Sequence, residues 1–151
     1  MSLNEEVDLL KKIPLFSKIE ASKLKLLAFT SERLNFAPGE LLCRQGDPGD
    51  SAYIILDGEA DVLVNTPQGE ISVAKLGKND LVGEMAILID IPRTATVKAL
   101  GNVATLAISK DLFFRMVTEF PQMGVEIMRE LAHRLENTTA QLREARSRQS
   151  A

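Results

Sequence analysis

The sequence has little of the chemistry on which disulfide frameworks and metal sites depend. It contains one cysteine, Cys43, and one histidine, His133, among 151 residues. A single cysteine excludes a disulfide framework and a cysteine cluster for zinc or iron–sulfur, so we expect Cys43 to be a buried thiol in a strand. Since the sequence shows neither a set of metal ligands nor a matched acid and base, we expect no metal and no enzymatic activity.

Long apolar runs and a basic composition are also missing. No run approaches the length of a membrane span, and the acids before Leu9 have the wrong charge for a secretory signal, so we expect a cytoplasmic protein. The formal net charge of -3 provides no basic field for nucleic acid. The arginines near the C-terminus suit a helix end, where cations are favoured; they are Arg143, Arg146 and Arg148. We therefore expect neither membrane nor nucleic acid as a partner.

Length and composition are those of one globular domain. The apolar fraction is 45% and the charged fraction 26%, which are ordinary values for a globular protein. A chain of this size can bury one core without disulfides or structural metals, and no repeat, low-complexity segment or linker divides it. We expect a single domain over residues 1–151.

The N-terminal part of the chain, about residues 5–30, predicts helices. An apolar pattern begins at Val7, pauses near Pro14 and resumes after Ser22, which is interpreted as an N-cap. The apolar stripe expected in the second segment consists of Leu24, Leu26, Leu27 and Phe29.

Residues from about 31 to 108 change to short apolar runs separated by turn sequences such as Pro38-Gly39 and Asp57-Gly58. Ala60, Val62 and Val64 alternate with Asp61, Leu63 and Asn65. Turn signals recur about every ten residues, as in an antiparallel barrel or sandwich. The predicted fold is mainly β with flanking helices: an antiparallel, jelly-roll-like β-roll of roughly seven or eight strands.

The helical period returns after Ile108 and predicts two C-terminal helices over about residues 109–147. Ser109 is the expected cap of the first, and Pro121 separates it from the second. The second helix, about residues 122–146, carries two series at seven-residue spacing: Met128, Leu135 and Leu142, and Leu131, Thr138 and Ala145. This seam has two interpretations, a homodimer through the helix or packing of one helix face on the roll.

The segment 81–97 has the pattern of an anion-binding loop. It leaves the roll, turns through Gly83, makes about one helical turn and returns through Pro92. At a helix start the first backbone N–H groups are free, and the helix dipole adds to their attraction for a phosphate. The N–H groups of Met85 and Ala86 are expected to have this role.

Two charged side chains extend the prediction for this loop. Arg93 offers a forked pair of donors that fits two phosphate oxygens, and the Glu84 carboxylate can accept hydrogen bonds from a sugar hydroxyl. Together they predict a site for a ribose phosphate. Each residue alone also fits an exposed surface charge, and the two could pair only with each other.

The segment LVGEMAILIDIPRTATV, residues 81–97, resembles the phosphate-binding cassette of cyclic-nucleotide-binding domains of the catabolite activator and protein kinase A regulatory subunit type. That cassette has Gly-Glu, a small or apolar stretch with Ala, then Pro-Arg, Ser/Thr/Ala, Ala and Thr. Residues 44–60 and 13–16 are similar to two further features of the family, so the resemblance spans about residues 9–145. One departure is Val82, where an aromatic commonly precedes Gly-Glu, which changes the packing under the loop.

The resemblance implies a β-roll that binds cyclic AMP or cyclic GMP. It implies that Glu84 binds the ribose 2'-hydroxyl, that Arg93 binds the cyclic phosphate, and that backbone amides of the cassette complete the site. The ligand-binding residues expected on this basis are Gly83, Glu84, Met85, Ala86, Arg93, Thr94, Ala95, Thr138 and Thr139.

Three threonines bear on the choice of base. A hydroxyl at the position of Thr94 favours guanine in kinase and channel members, whereas activators that prefer cyclic AMP can carry Ser there; Thr94 can also cap the loop or bind phosphate. Residues 131–139 resemble the dimer helix of catabolite activators, in which two consecutive hydroxyl residues, one from each subunit, reach the adenine. These fall on Thr138 and Thr139, although Thr138 also fits a polar register position or an ordinary helix threonine. Cyclic AMP is the preferred expectation.

The sequence leaves open which protein or domain responds to ligand binding. Catabolite activators continue into a helix-turn-helix DNA reader, whereas this sequence stops at Ala151. We expect either a stand-alone domain that signals by changing its protein partners, which are unknown, or a regulatory piece of a larger protein. Ligand is expected to order the cassette and draw the last two helices over the base. The alternatives are a cyclic GMP-selective sensor and an interaction domain that has kept the fold without the ligand.

Overall fold

The computed structural model describes residues 2–83, 88–89 and 91–150. The chain begins with helix α1 (Leu3–Lys11), a short 3-10 helix (Pro14–Phe16) and helix α2 (Ala21–Thr30). Ser2 caps α1 by accepting a hydrogen bond from the backbone N–H of Glu5 at 3.2 Å. The buried carboxylate of Glu6 pairs with Arg33, which joins α1 to the first strand.

Helix α2 corrects two details of the sequence prediction. It begins at Ala21, so Ser22 lies inside its first turn, and its N-cap residue Glu20 makes no side-chain cap hydrogen bond. Leu24 and Leu27 are fully buried, whereas Leu26 and Phe29 are 40% and 72% exposed. Residues three apart share a helix face, so burial of the first pair turns the second pair outward.

Eight strands form the roll in the described part of the chain. They are β1 (Glu32–Phe36), β2 (Leu41–Cys43), β3 (Ser51–Asp57), β4 (Ala60–Thr66), β5 (Gly69–Leu76), β6 (Leu81–Val82), β7 (Thr96–Ala99) and β8 (Val103–Ser109). The two four-stranded sheets have the orders β1-β8-β3-β6 and β2-β7-β4-β5, with antiparallel pairing throughout. The predicted fold class is confirmed.

Two apolar clusters form the core. The larger one joins α1, the 3-10 helix and α2 to strands β3 and β8, with Phe16, Leu24, Ile54 and Leu106 among its fully buried members. The smaller one lies between the sheets and includes Leu42, Ile55, Ala60, Val82 and Val97, with Phe36 and Tyr53 packed against it.

Helices α3 (Lys110–Glu119) and α4 (Pro121–Ser150) close the chain. Ser109 caps α3, as predicted, by accepting a hydrogen bond from the Leu112 backbone N–H at 3.0 Å. Met123, Ile127 and Leu131 attach the start of α4 to the larger cluster. Along the rest of α4 the first heptad series is exposed: Met128 62%, Leu135 68% and Leu142 57%.

None of the helices described in the structure combines the length and the apolar character needed to cross a membrane.

Candidate functional site

The turn at Gly83 is the first part of the site that the structure describes. It follows strand β6, whose Val82 is buried in the smaller apolar cluster. Gly83 has a φ of +83°, in the left-handed region that side chains other than glycine rarely adopt. A Cβ at this position would lie 2.0 Å from Nη1 of Arg93. Glycine is therefore required both for the turn and for the close approach of the Arg93 guanidinium.

Arg93 is a buried cation, with a fractional exposure of 6%. Its Nη2 donates a hydrogen bond to the backbone carbonyl of Ser51 at 2.7 Å, and Nη1 donates to the carbonyl of Gly83 at 3.4 Å. Its Cζ lies 5.8 Å from the centre of the Tyr53 ring. All of these partners are neutral, and no carboxylate of residues 2–83, 88–89 or 91–149 lies within ion-pair distance of the guanidinium.

The backbone of Arg93 is fixed by a loop that lies far earlier in the chain. The N–H of Arg93 donates to the carbonyl of Asp47 at 2.8 Å, and the N–H of Gly46 donates to the carbonyl of Arg93 at 2.9 Å. The N–H of Gln45 donates to Oγ1 of Thr96 at 2.9 Å. Residues 45–47 thus hold the return strand of the cassette, so Arg93 is presented from a rigid position.

Cys43 lies beside this arrangement, at the end of β2. Its Sγ is 3.7 Å from the carbonyl oxygen of Ala95, and the residue is half-buried. Burial raises the pKa of the Cys43 thiol, against the opposing effect of the positive charge on Arg93. The thiol is therefore protonated at neutral pH and acts as a small apolar side chain with a weak donor. Its place in a strand agrees with the sequence prediction, although the residue is not fully buried.

The structure brings part of the predicted site together. Gly83 and Arg93 are in contact, and Thr94 and Ala95 follow directly, the first exposed and the second half-buried. Glu84, Met85 and Ala86 lie outside the described residues.

The two threonines predicted to reach the base lie on α4. Thr138 is exposed and Thr139 is half-buried. In the described parts of the chain, no hydrogen bond joins either hydroxyl to Arg93 or to another residue of the cassette.

Two contacts of Arg93 were missed by sequence reasoning: the carbonyl of Ser51 and the ring of Tyr53. Tyr53 is the single tyrosine of the sequence and lies in the segment 44–60 that resembles a family feature, which is a signal for it. A backbone carbonyl such as that of Ser51 has no signal of its own, because every residue carries one.

Comparison with known families identifies the kind of site. The family model described as "Cyclic nucleotide-binding domain" matches residues 33–120, more than half of the chain. The chain belongs to this family. The match includes β2 to β8, β1 except its first residue, and the contacts around Arg93, so the predicted fold and ligand class, a cyclic nucleotide, are those of the family.

Individual relatives of this cyclic nucleotide-binding domain are regulatory proteins. A cAMP-dependent protein kinase regulatory subunit from Dictyostelium discoideum is 36% identical over 120 residues, which are 77% of this chain and 37% of that protein. A CRP-like cAMP-activated global transcriptional regulator from Mycobacterium tuberculosis is 26% identical over 136 residues, 89% of this chain and 61% of that protein. The chain thus spans between about a third and three fifths of these relatives.

A solved structure has the same architecture. The N-terminal domain of a transcriptional regulator from Streptomyces coelicolor A3(2) superposes with a TM-score of 0.79 at 32% identity, covering 87% of this chain and 94% of that one. Both kinds of relative named by the sequence resemblance, kinase regulatory subunits and catabolite activators, are therefore found among the similar proteins.

The residues around Arg93 fit a cyclic phosphate. A buried guanidinium whose described partners are two carbonyls and a ring gains more from a phosphate anion than an exposed arginine does, because burial weakens solvent screening. A guanidinium has five N–H donors, and two of its nitrogens carry the two described hydrogen bonds, so further donors are left for phosphate oxygens.

Proposed function

We propose that this cyclic nucleotide-binding domain binds cyclic AMP in preference to cyclic GMP and acts as a regulatory sensor. The observation that supports it most directly is the buried Arg93 at the Gly83 turn, with only neutral partners among the described residues. A charge-assisted, forked hydrogen bond to the cyclic phosphate compensates this charge. Glu84 accepts from the ribose 2'-hydroxyl, and the amides of Gly83, Met85, Ala86 and Ala95 complete the site.

The preference for cyclic AMP is supported by the relatives. The Dictyostelium discoideum and Mycobacterium tuberculosis proteins are both named for cAMP. In our proposal Thr94, exposed directly after Arg93, binds phosphate and leaves the choice of base to Thr138 and Thr139. A hydroxyl on α4 reaches the adenine only when α4, or the α4 of a second copy, lies over the roll.

The proposed output is a movement of α3 and α4. The start of α4 is packed on the larger cluster, but beyond Leu131 no residue of the helix belongs to either described apolar cluster. Because most of the stability of a helix in a protein comes from packing of its apolar face, the exposed seam of α4 favours a partner. We propose that the partner is a second copy, which pairs along Met128, Leu135 and Leu142. Nucleotide then shifts the population toward the closed position of α3 and α4.

The proposed unit is the whole range 1–151. The larger cluster contains residues of α1, α2, β3, β8, α3 and α4, so the N-terminal and C-terminal helices share one core with the roll. The absence of a catalytic role and the cytoplasmic location stay predictions.

Titration calorimetry with cyclic AMP and cyclic GMP tests the binding proposal. We expect heat with both and tighter binding of cyclic AMP. Arg93→Ala should weaken binding at least tenfold, because a hydrogen bond to a charged group contributes about 1.5 to 3 kcal/mol. Arg115→Ala, which removes the same charge from an exposed position on α3, is the matched control and should leave affinity within twofold.

The outcomes separate the alternatives. Tighter binding of cyclic GMP would identify a cyclic GMP-selective sensor. No heat with either nucleotide would refute the proposal in favour of an interaction domain without ligand. Chromatography of cyclic AMP after incubation with the protein and Mg²⁺ should return unchanged nucleotide, whereas linear AMP would reveal an enzyme.

Sedimentation velocity tests whether two copies associate through the heptad seam of α4. Leu135→Glu introduces a charge at an exposed seam position and should reduce self-association, whereas Ala140→Glu introduces the same charge outside both heptad series and should not.

The base-reading role of Thr138 is tested by calorimetry. Thr138→Ala should weaken the binding of cyclic AMP more than the binding of cyclic GMP. An equal loss for both nucleotides would remove the base-reading role of Thr138.

A further inference from the structure

Tyr53 provides an aromatic ring close to the Arg93 guanidinium. The Cζ of Arg93 lies over the Tyr53 ring, 5.8 Å from its centre. This is within the distance of about 6 Å at which the negative face of an aromatic ring attracts a cation. The contact is between a half-buried ring and a guanidinium that is 6% exposed, so water screens it little.

The ring of Tyr53 is itself held in place. Tyr53 lies in β3, and its backbone is paired on both sides, with Val82 of β6 and Ala107 of β8. Phe36 of β1 meets the ring edge-on, with ring centres 6.0 Å apart and an angle of 89° between the planes. The hydroxyl of Ser51 lies 3.4 Å from the Tyr53 hydroxyl. The ring therefore provides a fixed surface for a flexible side chain.

The same strand supplies a second contact to the guanidinium. Ser51, two residues before Tyr53, accepts a hydrogen bond from Nη2 of Arg93 at 2.7 Å through its backbone carbonyl. The carbonyl holds Nη2, and the ring lies beside the central carbon of the group. Together with the hydrogen bond from Nη1 to the carbonyl of Gly83, these contacts restrict the orientation of the planar group.

We propose that Tyr53 is a positioning residue, which holds the Arg93 guanidinium in the orientation that binds the cyclic phosphate. This inference rests on the proposed function. Without the ring, Arg93 distributes over other orientations, and the apparent affinity falls by the fraction that is still competent to bind. The contact contributes through the ring face, so Phe replaces Tyr53 and an aliphatic residue does not.

Titration calorimetry with cyclic AMP on the full chain tests the affinity part. Tyr53→Leu should weaken binding by about 5- to 30-fold, the range that corresponds to cation–π contacts at partly to fully desolvated sites. Tyr53→Phe should bind within twofold of the wild type. Phe36→Leu is the packing control: it removes the edge contact but keeps the ring under Arg93, and it should also stay within twofold.

A double-mutant cycle separates positioning from a general effect on the fold. In an Arg93→Ala background, Tyr53→Leu should cause no further loss, because the group that it positions is gone. A loss of the same size in both backgrounds would overturn the proposal, and so would a Tyr53→Phe variant as weak as Tyr53→Leu.

A measurement without nucleotide keeps the inference testable if the binding proposal fails. An aromatic ring shifts protons above its face upfield, so the Nε–H resonance of Arg93, assigned by its loss in Arg93→Lys, should be displaced upfield. The displacement should persist in Tyr53→Phe and disappear in Tyr53→Leu. An unshifted Arg93 resonance in the wild type would refute the positioning role. A shifted resonance in a chain that gives no heat with either nucleotide would refute the proposed function alone.

Discussion

Replacement of Gly83 by alanine separates two consequences of one glycine. Gly83 has a φ of +83°, and an alanine held in the left-handed region costs roughly 1 to 2 kcal/mol. Its Cβ would also lie 2.0 Å from Nη1 of Arg93, whereas real Cβ atoms essentially never come closer than 3.0 Å to a neighbour. The guanidinium or the turn must therefore shift by about 1 Å or more, which disturbs the contact between them.

Gly39 offers the matched control. Its φ of +85° is nearly the same, but a Cβ there meets no atom within 4 Å. Gly39→Ala and Gly83→Ala should both lower the free energy of unfolding by about 1 to 2 kcal/mol, measured by urea denaturation. Only Gly83→Ala should also lose at least tenfold in cyclic AMP affinity, since displaced charge-assisted hydrogen bonds contribute about 1.5 to 3 kcal/mol each. Equal affinities of the two variants in calorimetry would refute the link between the turn and Arg93.

Two further predictions concern the thiol and the helix cap. Because burial raises the pKa of Cys43, its contribution to stability is complete below the ordinary thiol pKa and is lost as pH rises through the raised value. The free energy of unfolding should therefore fall more steeply in alkali for the wild type than for Cys43→Ala, and parallel pH profiles would contradict this. Ser109→Ala should lower the free energy of unfolding by about 1 kcal/mol, because it removes the hydrogen bond to the Leu112 N–H. Ser22→Ala, inside the first turn of α2, should change stability by less than about 0.5 kcal/mol in the same urea titration.

The roll and its limits were predictable because their signals are local. Turn sequences and alternating side chains led to an expected range of about 31–108, and the strands run from Glu32 to Ser109. Ser109 was correctly interpreted as a cap, since an apolar helical pattern follows it directly. The interpretation of Ser22 as an N-cap was wrong, because a serine within the first turn of a helix has the same sequence signature as a serine before it.

The buried face of α2 was less predictable, for a different reason. Leu24, Leu26, Leu27, Ala28 and Phe29 are all apolar, so the pattern does not fix which face is buried. The packing of α2 against α1 and α3 decides it and leaves Phe29 exposed. A dense apolar run predicts a helix well and its orientation poorly.

For the site, the sequence predicted the residues that would contact the phosphate but not the residues that hold Arg93 in place. Gly83 and Arg93 belong to one short segment, and the structure brings them into contact. The partners of Arg93 in β3 lie about forty residues earlier. Tyr53 belongs to a segment that resembles a family feature, but neither segment indicates that the two side chains meet. Such contacts depend on strand order, which a local pattern does not contain. The roles of Glu84, Met85, Ala86, Thr138 and Thr139 stay predictions.

In the proposed site, the two backbone hydrogen bonds between Arg93 and residues 46–47 connect ligand affinity with the stability of one loop. They join a loop near the start of the roll to one near its end, and neither belongs to the ladder of a sheet. Because neither bond is part of a strand ladder, we expect that residues 46–47 can open and free the Arg93 backbone without breaking the strand pairing. Affinity therefore reports a local equilibrium as well as global unfolding, and hydrogen exchange at the Arg93 amide should slow when nucleotide binds. In the proposed site, a modest destabilisation of this surface loop should lower affinity as a weaker phosphate contact would.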